Sequence, residues 1–131
     1  MNLHPFKFKH LQQLIDMHKS NSYMDIASLQ MKTLPKIGYI ATTDTGAPVA
    51  AGFLRRVEPS FAQIDTLVSN AYLGSIARHE GISLIVDELL ADAKRLKLEG
   101  IICLTSDTGV LSRAKAKGFH IVNQTVIAVK L

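Results

Sequence analysis

The chain has 131 residues, 47% of them hydrophobic and 20% charged, with fifteen Lys or Arg set against eleven Asp or Glu. A chain of this length buries roughly two-thirds of its unfolded surface and folds as one domain without metal or disulfide support, and its one cysteine, Cys103, cannot form an internal disulfide. No apolar run nears the ~20 residues of a membrane span, the Met1 to Lys7 stretch lacks the apolar core of a signal peptide, and the net charge of +4 is spread along the chain. These features predict a cytoplasmic single domain over 1–131 with affinity for some anion. They argue against a membrane, and the absence of basic runs, zinc-finger spacing and basic-aromatic motifs argues against nucleic acid.

Phe6 and Phe8 alternate with Lys7 and Lys9, which predicts a short first strand, and Leu11, Leu14, Ile15 and Met17 or His18 then recur at helical spacing. After Ser20-Asn21-Ser22, the stretch Met24 to Leu34 reads as a second short helix ending near Pro35. Ile37 to Thr42 and Val49 to Val57 are strand-like around the turn residues Asp44-Thr45-Gly46-Ala47, and Glu58-Pro59-Ser60 turns the chain into a third strand, Phe61 to Val68. A helix is predicted from near Gly81 to about Leu98, with Ile82, Ile85, Val86, Leu89, Ala93 and Leu96 on one stripe. Ile101 to Leu104 follows as a buried strand, then a short helix capped by Ser106 or Asp107 and ending at Gly118. Phe119 to Val122 and Thr125 to Leu131 close the chain as strands, with Asn123-Gln124 as a hairpin turn or a bulge.

The segment Arg78-His79-Glu80-Gly81-Ile82-Ser83 follows the strand and opens the long helix, and this placement predicts an anion site. A helix N-terminus offers unpaired backbone N–H groups and the positive end of the dipole, and a glycine there lets a phosphate come close. Arg78 adds a planar cationic fork.

This order of elements, together with Arg78-x-x-Gly81-x-Ser83 and Lys117-Gly118-Phe119, resembles the GNAT superfamily of acetyl-CoA-dependent N-acetyltransferases over nearly the whole chain. The family signature is Arg or Gln, two residues, Gly, one residue, then Gly or Ala; Ser83 is a small residue in the last place. The resemblance implies an α/β (α+β) fold with a mixed, mostly antiparallel central sheet, helices on both faces and the order β-α-α-β-β-β-α-β-α-β-β. It further implies that the backbone amides of His79, Glu80, Gly81, Ile82 and Ser83 cradle the pyrophosphate of coenzyme A beside Arg78. Leu67 and Val68 would pair with the pantetheine arm as an added strand does. The place where relatives carry an asparagine falls at Asp107, a further candidate for cofactor binding that is also suited to capping a helix. Acetyl-CoA is then the co-substrate and an amine, on a small molecule or a protein, is the acceptor.

Several positions depart from the family pattern. Many relatives carry a tyrosine four residues before the Gly-Phe pair, to protonate the departing thiolate, and this chain has Ala114 there, leaving Ser112 as the nearby hydroxyl. Where some relatives place a glutamate base this chain has Gln63, and Asp65, two residues on and on the same strand face, is the carboxylate candidate. The Val68 to Arg78 connection is longer than usual and brings Tyr72, while the connection at Asn123-Gln124 is shorter, implying an open acceptor side or a homodimer contact. The five histidines show no metal spacing, so no metal is expected, and Cys103 reads as a packed thiol. The alternative to an N-acetyltransferase is a non-catalytic module of the same fold that binds coenzyme A in a regulatory role.

Overall fold

The computed structural model describes residues 1–21, 29–105 and 107–131. The first strand, β1 (Asn2–Pro5), lies earlier than the Phe6 to Lys9 stretch expected from alternation. Phe6 instead packs edge-on against Phe53 with ring centroids 4.9 Å apart, and Phe8–His10 form a 3-10 turn leading into α1 (Leu11–Asn21). The first five residues of the second expected helix, Met24 to Leu34, lie outside the described residues; of the rest, 31–34 form turns, with the Thr33 amide donating to the Gln30 carbonyl at 3.0 Å.

Strands β2 (Ile37–Thr42), β3 (Pro48–Glu58) and β4 (Phe61–Ser69) form the expected antiparallel meander, joined through Gly46, whose φ of 88° suits a residue without Cβ, and through Pro59-Ser60. The sheet runs β1-β2-β3-β4-β5, antiparallel except for the β4 to β5 (Gly100–Ile102) pair. Residues 49–54 of β3 are all buried, because the sheet is covered on both faces. On one face Leu14 and Met17 of α1 pack with Ile40, Ala51, Phe53 and Val68; on the other, Ile85, Val86 and Leu89 of α2 (Ser75–Arg95) pack with Val49, Leu54 and Ile64.

The β3–β4 ladder is interrupted where Ala51 pairs with Val68 and Phe53 with Asp65, so Gly52 opposes both Thr66 and Leu67. Thr66 sits at φ 53°, a left-handed conformation that costs a β-branched residue on the order of 1–3 kcal/mol. The bulge shifts the alternation of β4 by one, so that Leu67 joins Ile64 on the α2 face. A Cβ on Gly52 would fall 2.7 Å from Leu67 Cδ1 and 3.0 Å from Ile85 Cγ2, so only glycine leaves room for this packing.

Helix α2 begins at Ser75, a turn and a half before the expected start at Gly81. Nothing in Ser75 to Glu80 opposes a helix, and extended Gly74 provides the N-cap carbonyl, which accepts from the Arg78 amide at 3.1 Å. Strand β5 is shorter and more exposed than the Ile101 to Leu104 strand expected, since β4 is the only described strand beside it. Helix α3 (Thr108–Ala116) is capped by the Asp107 carboxylate, which accepts from the Val110 amide at 3.1 Å. It ends at Gly118, φ 91°, where the Phe119 and Gly118 amides reach back to the Ala114 and Lys115 carbonyls. The closing strands expected at Phe119 to Val122 and Thr125 to Leu131 are not formed; no described strand flanks them to complete a ladder, and residues 120–131 are exposed.

His18 is fully buried in α1, and among the described residues neither ring nitrogen has a hydrogen-bond partner. Burial pushes its pKa below the ordinary 6.5. His10 shifts the same way, chiefly through burial and then through Lys9, His4 and Lys7, and its Nδ1 accepts from the Lys7 amide at 2.9 Å. Because both pKa values are depressed on folding, the unfolded chain binds the protons first. The associated stability is present above pH 6.5 and is lost as pH falls from there through the folded-state values. Urea midpoints are expected to drop on acidification through this window, and less steeply for His18→Leu; an unchanged slope in that variant would remove His18 as the cause.

Candidate functional site

Strands β4 and β5 pair only through Phe61↔Gly100, Ala62↔Ile101 and Gln63↔Ile102. Beyond Gln63, β4 continues to Ser69 with no described strand along that edge, and the gap is closed at the sides by α2 and α3. The result is a cleft of about 530 Å³. Ile64, Leu67, Val68, Ile82, Val110 and Phe119 supply its apolar lining; Arg78, His79, Arg113 and Lys117 bring nitrogen-bearing side chains. A smaller cavity of about 240 Å³ shares Ser69, Arg78, His79, Ile82, Asp107 and Arg113 with it and reaches Ser75 in the first turn of α2.

The local sequence explains how these side chains are held. Arg78 lies one turn into α2, and its Nε donates to Ser69 Oγ at 2.9 Å, fastening the helix to the end of β4. Lys117, at the end of α3, reaches across to α2 and donates to Ser83 Oγ at 2.8 Å and to Asp87 Oδ1 at 2.6 Å. Among the described residues neither Arg78 nor Arg113 forms an ion pair, and Asp107 is the one carboxylate in the lining. The cleft is therefore electropositive and suited to a polyanion that also carries an apolar or amide portion. Burial pushes the Cys103 thiol up, so this sulfur lines the cleft as a neutral group.

Leu67, Val68, Arg78, His79, Ile82, Ser83 and Asp107 all line the cleft, as does Ser112. Glu80 does not; it is exposed on α2. Gly81 is turned to β3, where a Cβ would meet Val49 Cγ1 at 2.6 Å and Ala50 Cβ at 3.3 Å, so its small size serves helix-on-sheet packing rather than phosphate access. The amides of His79 to Ser83 lie inside α2 and are spent in its ladder; the free N–H groups of the helix belong to Ser75, Ile76 and Ala77. Asp65 projects from the opposite face of β4 to Ile64, where Oδ2 accepts from Arg55 Nε at 2.6 Å and Oδ1 from Thr66 Oγ1 at 3.1 Å. Tyr72 is exposed and outside the lining. Arg113, missing from the sequence reading, was signalled by its i,i+4 spacing from Lys117, which places the two cations on one face of α3.

No protein-family model matches the chain, and no curated protein matches it by sequence. Solved structures do match. A GNAT-family acetyltransferase from Streptococcus pneumoniae superposes with a TM-score of 0.78 at 14% identity, covering 98% of this chain and 97% of that one. This chain has the GNAT fold. A Mycobacterium tuberculosis protein solved in complex with CoA gives a TM-score of 0.75 at 18% identity, covering 98% of this chain and 76% of that one. An aminoglycoside 6'-N-acetyltransferase from Acinetobacter haemolyticus gives 0.70 at 14% identity, covering 100% and 99%. Among the described residues of this GNAT-fold chain, no group of three or more His, Cys, Asp or Glu is placed to hold a metal, and no helix is long and apolar enough to cross a membrane.

The contact between Gly81 and Val49 makes a stability prediction. Gly81→Leu is expected to lower the free energy of unfolding by at least about 1–3 kcal/mol through overpacking, read from urea denaturation. A neutral result would show that the α2 to β3 approach relaxes freely.

Proposed function

We propose that this protein is an acetyl-CoA-dependent N-acetyltransferase that acts on a primary amine, with residues 1–131 as a single cytoplasmic catalytic domain. The observation that carries this reading is the cleft between the diverging strands β4 and β5, in which Arg78 and Arg113, neither of them in an ion pair among the described residues, stand beside an apolar channel. Coenzyme A has matching chemistry, with phosphates at one end and an amide-bearing pantetheine arm at the other. Arg78, Arg113, Lys117 and the free amides of Ser75 to Ala77 would take the phosphates. The open edge of β4 at Leu67 and Val68 would pair with the pantetheine amides, with Ile64, Val110 and Phe119 excluding water from the arm. His79, Ile82, Ser83 and Asp107 complete that wall.

Acetyl-CoA supplies the activated acyl group. On the chain's side, Asp65 would draw the proton from the acceptor amine through a water, its carboxylate oriented by Arg55. Asp65 sits on the α1 face, so the amine is expected to approach from the side of the sheet opposite the α2 cleft. The Ser112 hydroxyl would donate a proton toward the leaving sulfur from α3.

Isothermal titration with acetyl-CoA is expected to give saturable one-site binding. Arg78→Ala and Arg113→Ala should each weaken it by about ten- to hundredfold through loss of charge-assisted hydrogen bonds. Unchanged affinity in both would remove the cleft as the phosphate site. Asp65→Asn is expected to leave binding unchanged and to depress turnover at neutral pH, with full activity excluding it as the base.

A second reading, a regulatory module that binds coenzyme A without turnover, draws on two observations: Ala114 lines the cleft where many relatives of the family carry a tyrosine, and the Asp65 carboxylate is engaged by Arg55. Saturable binding with no acetyl transfer across a panel of amines would select it.

A further inference from the structure

The backbone amide of His79 is spent inside α2, yet its side chain stands in the candidate site. Ser75, His79, Ile82 and Val86 follow one another at helical spacing, and each lines one or both cavities. The stripe therefore faces the gap between α2 and α3, and the tilt of a helical Cα–Cβ bond carries the imidazole toward Ser75, where the helix has its free amides. The smaller cavity, about 240 Å³, gathers Arg78, His79 and Arg113 around one carboxylate, Asp107. Arg113 lies back along α3 toward its cap: a Cβ on Gly109 would be 3.1 Å from Asp107 Oδ1 and 3.5 Å from Arg113 Nη1. Arg78 spends Nε on Ser69 Oγ and leaves its terminal nitrogens for a ligand. Among the described residues the His79 ring enters no ion pair and no side-chain hydrogen bond.

We infer that the His79 side chain is a phosphate ligand in its protonated form, so that binding of coenzyme A draws a proton onto the ring and the affinity of the cleft follows pH. This rests on the coenzyme A reading of the cleft. A neutral imidazole has one N–H and one lone pair, whereas the imidazolium has two N–H donors and a full charge. Phosphate oxygens call for donors, so the charged form adds a charge-assisted hydrogen bond, and an anion within about 4–6 Å favours that form. Arginine keeps its charge throughout, so Arg78 and Arg113 supply constant attraction while the imidazole is the group that changes charge near neutrality. The balance is one proton taken from the buffer and kept on the ring; no bond of the ligand forms or breaks.

The charges around the ring come from three elements. On α2 itself they are Arg78 and the exposed Glu80. From α3 and its cap come Arg113, Asp107 and Lys117, the last held by Ser83 and Asp87. Beyond β5, Cys103 stands as a neutral thiol, and the β4 residues of the lining carry no charge. His79 is exposed in the free protein, at the mouth of the cavity, so its ring exchanges protons directly with solvent.

Isothermal titration of the full chain with coenzyme A, between about pH 6 and about pH 8 and in two buffers of different ionisation enthalpy, counts the protons taken up. Circular dichroism at each pH checks the fold. His79→Gln serves as the reference, because any titration of the ligand's own phosphate is common to both proteins. The wild type is expected to take up more proton than His79→Gln, and its dissociation constant to fall by about three- to tenfold more from the basic to the acidic end. His79→Lys, charged throughout, should bind at the basic end at least as tightly as the wild type and lose the extra slope. The side chain is exposed, so neither substitution should disturb the fold. Equal uptake and slope in the wild type and His79→Gln, with binding intact, would overturn the inference and leave the coenzyme A reading standing; so would a His79→Lys protein that keeps the wild-type slope. No binding by the wild type at any pH would overturn both.

Discussion

Leu67 crosses the α2 face of the sheet directly over Gly52, with no side chain between them, and the architecture of the cleft follows from that approach. To place Leu67 there, β4 inserts an extra residue at Thr66, and the strand changes phase. Ile64 and Leu67 then face α2, while Asp65 and Val68 face α1. A strand bent this way does not stay parallel to a straight neighbour, and β5 is lost from its side after Gln63. The gap left behind is the cleft. The unfavourable backbone at Thr66 is offset by the core contacts it permits, a distribution of strain common at functional sites.

Much of this was legible in the sequence because it depends on local periodicity. The meander from Ile37 to Ser69, the apolar stripe of α2, the Asp107 cap and the Gly118 stop all follow from short-range rules. The bulge does not: Asp65-Thr66-Leu67 reads as uninterrupted strand, and only the size of the residue opposite, Gly52, hints at it. The start of α2 at Ser75 rather than near Gly81 has a related cause. Gly81 looks like a helix breaker beside a phosphate, yet in the structure it is the contact point of a helix already under way, pressed on Val49. A glycine that serves packing and one that serves a ligand cannot be told apart without knowing which face of the helix it occupies.

The candidate site was legible as a list of residues and less so as a geometry. Seven of the nine positions expected to bind a cofactor do line one cleft: Leu67, Val68, Arg78, His79, Ile82, Ser83 and Asp107. The free amides of α2 are those of Ser75, Ile76 and Ala77 rather than His79 to Ser83, because free N–H groups follow the true start of a helix and not its motif. Arg113 shares a face of α3 with Lys117 by its spacing, but it is one cation among fifteen basic residues, and its relation to Arg78 exists only once α3 is laid beside α2. The closing strands expected at Phe119 to Val122 and Thr125 to Leu131 are not formed: their composition favours strand, but pairing is a property of two segments, and no described strand lies beside them.

Helix α3 has an autonomy that bears on all of this. Its two ends are closed by its own residues, Asp107 and Gly118, and it buries no side chain in the body of the protein. Apart from Phe119, what fixes its distance from α2 is the reach of Lys117 to Ser83 and to the largely exposed Asp87. Such a tether is sensitive to dissolved ions, since screening at physiological salt acts over about 8 Å. One wall of the cleft therefore hangs on a polar bridge with one solvent-exposed partner, whereas the opposite wall, α2, is seated on the sheet by its buried apolar stripe.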